Sequence, residues 1–448
     1  MKTPPSLTAQ TTALLRELIR AACVNDGSPD SGQEHRAVAV LERFFDGSGL
    51  TWETVEPHPG RVSLVARIRG RVEGHPSLLL LGHTDVVPVS QGWARDPFAG
   101  DLIDGWVWGR GAYDMLHLTA AYAVIIRSLA SKGVPLAGDL VFAAVADEEA
   151  GGRFGAKWLV DNRPDLVAAD GVLSESGGVP LPVGGLVRGV TVTVGEKGGA
   201  ARALETTGTP RHASTPFGAD NAVATISEAI VRVLGHRIPP SPDDLWPRYV
   251  DALDIHPALK SDLVDPVRLD AALPQLGSLA SLAHAVTHNT IAPDIVRGGE
   301  KINVIAARAD ALLDIRILPG TTGADIDRHL IEALGPLAEK VRIRHLGNTA
   351  ASRSSLKTPL YAALAAAVTS AYPTAVAVPI ISPGGSDSRF FRKQGIAAYG
   401  FGMLSAQWRH EDIRVLMHGV DERIDVESVD LTVRSLERIV RTIVRPGR

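Results

Sequence analysis

The sequence predicts an α/β protein: a mostly parallel sheet covered by helices, discontinuous along the chain, with a smaller α+β domain inserted in it. Three observations lead there. Helical and strand-like patterns alternate from residue 8 to about 186. Residues 187–349 instead follow the order strand, helix, strand, strand, helix, strand of a ferredoxin-like unit. From residue 358 the helix–strand alternation returns. Residues 1–186 and 350–448 are therefore expected to form one domain and 187–349 a second.

The elements follow from their periodicities. Leu14, Leu15, Leu18 and Ile19 recur at helical spacing, and Val38, Leu41 and Phe45 mark a second amphipathic helix ended by Gly47. Val62, Leu64, Ala66 and Ile68 alternate as a strand. In "LLLLGHTDVVPV", the leucines before Gly82 fit a parallel strand buried on both faces, which delivers His83 and Asp85 to the lip of the core. In the long loop that follows, Asp104-Gly105 marks a tight hairpin. A helix is expected from about 115 to 131, then strands at 140–146 and 171–173. The inserted domain reads as strands 190–204, 301–306, 309–318 and 341–346 with helices 221–234 and 324–337. Within it, 236–299 reads as an insertion that begins "HRIPPSPDDLWP". The last part gives helices 359–372, 387–394 and 426–444 and strands 375–381 and 396–401.

Bulk properties narrow the function. At 448 residues the chain is long for one hydrophobic core. Its 45% apolar and 21% charged content is that of an ordinary globular protein. A net charge of −4 without a basic run argues against a nucleic-acid partner. Cys23 is the only cysteine, which excludes an intramolecular disulfide and a thiolate zinc cluster, and its helical setting reads as packing. No stretch reaches 18 apolar residues and the first residues lack a signal-peptide core, so no membrane partner and a cytoplasmic location are expected.

Acids and histidines cluster at the ends of apolar runs. A His-x-Asp pair such as His83 and Asp85 is, alone, commonly just a hydrogen-bonded pair. Asp114 follows "GRGAY" at a helix start, where Asp often serves only as a cap. Asp147, Glu148 and Glu149 follow "LVFAAVA" and alone would read as a solvated turn. Glu175 follows "DGVL", and His418 precedes the last long helix in "MHGVDER". Open parallel sheets bind ligands beyond the carboxyl ends of their strands, where these residues fall. Imidazole with carboxylate, without thiolate, suits zinc or a similar ion with an open coordination position. Two histidines and three or four carboxylates exceed the needs of one ion and suit two, about 3.5–4 Å apart.

In order from residue 82 to 424, "GHTDVVPV", "WARDPFAGDLIDGWVWGRGAYDM", "ADEEAGG", "SESGG", "RHASTP", "KINVI", "DIRILPG", "GGSDSRFFRKQGI" and "MHGVDERI" resemble one family. It is the dinuclear zinc exopeptidases and deacylases, which include glutamate carboxypeptidase, succinyl-diaminopimelate desuccinylase, acetylornithine deacetylase and aminoacylase. The resemblance implies two Zn²⁺ per chain, with Co²⁺ or Mn²⁺ as substitutes. His83, Asp114 and Glu175 would hold one ion, and Asp114, Glu149 and His418 the other, with Asp114 bridging. Asp85 would accept the other ring N–H of His83, and Glu148 would be the general base. The inserted domain would be a lid and dimerisation unit. On it His212 would stabilise the oxyanion, often across a dimer, and Asn303 and Arg316, on adjacent strands, would contact substrate. Gly385, Ser386 and Asp387 would line the pocket, and the Asp114–Met115 peptide would be cis. The implied substrate is a small peptide or N-acyl amino acid with a free carboxylate, and the implied assembly a homodimer.

The chain departs from the family pattern twice. Met115-Leu116-His117-Leu118 stands where the family usually reads Met-Lys-Gly-Gly, and Ala306 replaces a usual proline. The shared motifs do not separate a peptidase from an aminoacylase or desuccinylase. An intact Glu148 argues against a metal-holding module without catalysis. "GGSDS" lacks the spacing of a serine-hydrolase nucleophile elbow, and the glycines of "GRGAYD" do not follow a buried strand as a dinucleotide site requires.

Overall fold

The computed structural model describes residues 5–445. Its larger sheet has ten strands. Four of them form its parallel centre in the order Leu140–Val145, Leu78–His83, Gly171–Ser174, Ala397–Gly400. Trp52–His58 and Arg61–Ile68 add an antiparallel flank on one side. The pattern of the leucine strand is the physical key to this layer. Leu78 and Leu80 enter one core, with the helices Leu7–Ala21, His117–Ser131 and Val426–Val444, while Leu79 and Leu81 enter the core on the opposite face. Gly82 lets a helix come close: a Cβ there would lie 2.5 Å from Thr119 Oγ1, which donates to the His83 carbonyl. Each central strand therefore ends on one edge, and the polar residues that follow them share that edge.

A second, five-stranded sheet is antiparallel throughout: Gly198–Gly199, Arg202–Thr207, Thr290–Gly298, Arg308–Ile317 and Val341–His345. Helices Ala222–Gly235 and Gly323–Leu334 close its core with Ile226, Ala229, Ile326 and Leu330. The small antiparallel sheet of Asp101–Ile103, Trp106–Trp108 and Arg423–Asp425 turns at Asp104 and Gly105, both at positive φ, as its Asp-Gly pair requires.

Three boundaries differ from the sequence expectation. Strand Leu186–Glu196 belongs to the large sheet, where it pairs parallel with Val376–Ser382, so the change of sheet falls at 197 and not 187. Val190, Val192 and Val194 alternate only up to the crossing at Lys197-Gly198-Gly199, so the single strand expected over 190–204 is two strands in different sheets. Residues 301–304 form a turn; the second strand of the βαββαβ order is Thr290–Gly298, concealed by Pro293, which the strand absorbs as a register shift between Pro293 and Ile295. Finally, helices from 246 to 287 pack with Leu181 and Val378, on the large sheet rather than on the inserted one. Among the described residues, no helix is long and apolar enough to cross a membrane.

Candidate metal centre and active site

His83 ends its strand buried, and its Nδ1 lies 2.8 Å from the carbonyl oxygen of Asp85. A ring N–H donated there leaves the Nε2 lone pair facing outward. The family resemblance implies this role for the Asp85 carboxylate; its near oxygen is 3.7 Å away, and the backbone carbonyl takes the bond instead. The carboxylate accepts from the amides of Glu148 (3.2 Å) and Glu149 (3.0 Å) and from Asn25 Nδ2 (2.9 Å). Asp85 therefore fixes the turn that carries both glutamates.

That turn begins at Asp147, at φ +68°, whose own carboxylate accepts the Phe154 amide at 2.9 Å. The left-handed residue ends strand Leu140–Val145 sharply and sends Glu148 and Glu149 back over the sheet edge. Glu175 follows strand Gly171–Ser174; Gly400 of the neighbouring strand has no Cβ, and one there would lie 1.9 Å from the Glu175 carbonyl. Asp114 lies in the irregular turn Ala112–Leu116, and its peptide bond to Met115 is cis.

The side chains converge on Asp114. His83 Nε2 lies 3.5 Å from Asp114 Oδ1 and 3.7 Å from Glu175 Oε2. His418 Nε2 lies 3.1 Å from Asp114 Oδ2 and 3.4 Å from Glu149 Oε2. Two groups result, His83–Asp114–Glu175 and Asp114–Glu149–His418, each with its donor atoms within 4.8 Å of one another. Asp114 belongs to both.

The electrostatics are those of buried acids and imidazoles brought close together. Burial, then the charge of Glu175, pushes Glu148 well above the usual carboxylate range. Burial likewise raises Glu175 to about 8 against the His83 hydrogen bond. Burial would raise Asp114 too, but bonds to His418 and His83 outweigh it and hold the group well below its ordinary value. Burial alone would lower His83, but Asp114 and Glu175 hold it well above 6.5. Hydrogen bonds to Asp114 and Glu149 raise His418 to about 10. Glu149 Oε1 is buried with no hydrogen-bond partner, and His83 Nε2 keeps only long contacts of 3.5 and 3.7 Å, a costly arrangement that a divalent ion in each group would relieve. The oxygen and imidazole donor set fits such ions.

A family model described as peptidase family M20/M25/M40 matches residues 79–442. The chain belongs to this family. Among curated relatives of this M20 protein, the succinyl-diaminopimelate desuccinylase of Cereibacter sphaeroides is 28% identical over 426 residues, covering 93% of this chain and 94% of the relative. Mouse (Mus musculus) aminoacylase-1 is 27% identical over 443 residues, covering 97% and 96%. Among solved structures, an M20 family metallo-carboxypeptidase from Sulfolobus solfataricus superposes with a TM-score of 0.71 at 19% identity, covering 97% of this chain and 99% of that one. The M20 chain is thus a metallohydrolase, and its family and relatives support amide-bond hydrolysis.

A cavity of about 450 Å³ opens from Asp114, Glu148, Glu149, Glu175 and His418. Gly385 lines it; His212, Asn303, Arg316, Ser386 and Asp387 do not. His212 is exposed, its Nδ1 2.7 Å from Ser214 Oγ, and it bridges to Val304 in the turn that carries Asn303. Asn303 is therefore on a loop and not on a strand beside Arg316. Arg316 is half-exposed and forks onto Asp314 at 2.8 and 2.9 Å. Ser386 donates to the buried Glu196 from both its amide and its hydroxyl. Both carboxylate oxygens of Asp387 are buried and unpartnered, and burial pushes the group up to about 7.

Sequence reasoning missed Glu422 and Arg110. Both are buried and paired at 2.8 Å. Glu422 also accepts the amides of Gly111, Tyr113 and Asp114, and Arg110 donates to the His418 carbonyl at 3.3 Å. The pair ties the Asp114 turn to the His418 loop. The sequence analysis assigns neither a role; the available signal is an arginine between two glycines in "GRGAY".

Proposed function

We propose that the chain hydrolyses an amide or peptide bond next to an amino acid with a free carboxylate, using two zinc ions. His83, Asp114 and Glu175 would hold one ion and Asp114, Glu149 and His418 the other. The observation that carries this reading is Asp114 itself, one oxygen toward His83 and the other toward His418, as a bridging carboxylate must be. When bound, the ions supply Lewis acidity that polarises the scissile carbonyl and acidifies water. The Glu148 carboxylate, on the turn fixed by Asp85, takes the proton from the attacking water and passes it to the departing amine. Arg316 offers a planar fork for the substrate carboxylate, exchanging Asp314 for it.

We also propose a homodimer through the inserted domain. Val231 and Leu234 on one helix and Ile331 on its neighbour are each more than half exposed, an apolar face suited to a second copy. His212 would act in the partner's site, in keeping with its absence from the lining of its own chain's cavity.

The test is a hydrolysis screen of dipeptides and N-acetyl and N-succinyl amino acids with the protein stripped of metal and reloaded with zinc or cobalt. Activity that returns with metal and needs a free carboxylate is expected. Full activity in the stripped protein, or equal cleavage of carboxamide analogues, would overturn the reading.

A further inference from the structure

Two histidines and a glutamate meet on the inserted domain, away from the groups around Asp114. Helix Ala222–Gly235 ends at His236, whose amide donates to the Val233 carbonyl as the backbone turns extended. His329 and Glu332 stand three apart on helix Gly323–Leu334, so both lie on one face of it. Buried Ala229 and Val233 share a core with Leu330 and Leu334, and Arg232 donates to the Leu334 carbonyl at 3.3 Å, so the two helices are already held together. The charge of Arg232, one turn before His236, is met by Glu228 at 2.8 Å. His236 Nε2 lies 3.9 Å and His329 Nδ1 3.8 Å from the same oxygen, Glu332 Oε2. Both separations are too long for hydrogen bonds. The two rings, with centroids 6.1 Å apart and planes tilted by 51°, do not stack on each other. Among the described residues, His329 Nδ1 is buried and has no hydrogen-bond partner. One donor atom from each of the three residues lies within 4.8 Å of the other two.

We infer that His236, His329 and Glu332 form a further metal site, separate from the catalytic groups, for a divalent transition ion of the zinc class. Two imidazoles and a carboxylate suit zinc, cobalt, nickel or copper, whereas magnesium and calcium favour oxygen donors alone. Bonds of about 2.0–2.2 Å to a shared ion place neighbouring donors about 3.3–3.5 Å apart in tetrahedral geometry. The Glu332 side chain is 53% exposed, so it can swing to close the gap without disturbing the core. Water takes the fourth place. The ion gives the buried His329 nitrogen its partner and ties the end of one helix to the last turns of the other. Its role is structural: it fixes the spacing of two helices that also carry the exposed apolar residues Val231, Leu234 and Ile331. None of its three ligands lines the cavity beside Glu148, so the site does not depend on the hydrolase reading.

The experiment counts ions. Wild type, His236→Ala, His329→Ala and Glu332→Gln are dialysed side by side against micromolar free zinc, and zinc per chain is measured by elemental analysis. Each variant should hold one ion fewer than wild type, while hydrolysis by the zinc-loaded protein stays unchanged. The readout is a difference, so it holds whatever number of ions the catalytic groups bind. Asp114→Asn, which weakens both of those groups, should keep this ion, and Asp114→Asn/His329→Ala should lose it. Glu332→Gln alters an exposed side chain and tests the site should His329→Ala fail to fold. Equal zinc in wild type and the folded variants overturns the inference. So does zinc lost with Glu332→Gln but retained by both histidine variants, which would mark a surface carboxylate contact only. Zinc that falls with Asp114→Asn alone keeps the catalytic centre and sinks this site. A deficit of one ion in the variants of a protein that cleaves no amide keeps this site and sinks the hydrolase reading.

Discussion

Glu422 holds Asp114 by its backbone: one carboxylate oxygen accepts the amides of Asp114 at 3.0 Å and Tyr113 at 2.9 Å, while the other accepts Gly111 and Arg110. The Asp114 carboxylate is thereby left free to face His83 and His418, and its direction is set by a residue that touches neither group's donor atoms. Glu422 stands to Asp114 as Asp85 stands to Glu148 and Glu149. In both places one buried carboxylate orders the backbone under another.

Glu422→Gln keeps the shape but turns one acceptor into an amide donor facing other donors. Metal affinity should fall about 10–100-fold, as when an outer partner of a ligand is lost. Glu422→Ala leaves buried Arg110 without its counter-charge and should cost about 3–5 kcal/mol of stability. Equilibrium dialysis and denaturant unfolding measure the two effects. Unchanged metal affinity in a folded Glu422→Gln protein would refute the positioning role.

The two groups share Asp114 but differ in their histidine. His83→Ala and His418→Ala should each retain one ion and lose the other, while Asp114→Asn should weaken both. Elemental analysis of dialysed protein gives the count. Near-complete loading of either histidine variant would remove that residue from the ligand set.

Metal binding should release protons. Without metal, Glu175 is raised to about 8 and His418 to about 10, so both carry a proton at neutral pH. An ion binds their deprotonated forms, so the sign is fixed: affinity is lowest in acid and climbs as pH rises towards those values. Calorimetry in buffers of different ionisation enthalpy should register net proton release near pH 7. Proton uptake, or affinity independent of pH between about 6 and 8, would contradict the assignment.

Much of this site was legible because strand ends are legible. The leucine run before Gly82 and the apolar "LVFAAVA" each announce a buried central strand, and the side chain after such a strand must lie on the ligand-binding edge. The roles of backbone groups were not legible. No residue pattern says that His83 bonds the carbonyl of Asp85 and not its carboxylate. The crossing at Lys197 is marked in sequence only by the lapse of alternation at Lys197-Gly198-Gly199, and tertiary pairing shows that strand Leu186–Glu196 and strand Arg202–Thr207 enter different sheets. Glu422 was hidden because buried and solvated charges look alike in sequence.

Glu148→Gln removes proton transfer and little else, since Glu148's contact with Asp85 is made by its amide. Both ions and the fold should remain while turnover falls by at least about 10²-fold. Metal content and kcat are to be measured on the same preparation. Near-normal turnover in a metal-replete variant would take Glu148 out of the role of base.

The last prediction separates a dimer that merely associates from one that shares its sites. His212 is exposed on the inserted domain and absent from the cavity lining of its own chain. If it serves the partner's site, His212→Ala and Glu148→Gln homodimers each carry two defective sites. A hybrid carries one site with both defects and one with neither. Random exchange makes half the dimers hybrid, so mixing should restore about a quarter of the wild-type activity. The gain should appear only after subunit exchange, by dilution or mild denaturant, and should be absent when the chains are mixed and assayed at once. A monomer that is fully active, or a mixture that never exceeds the mean of its parts after exchange, would return His212 to its own chain or remove it from the reaction.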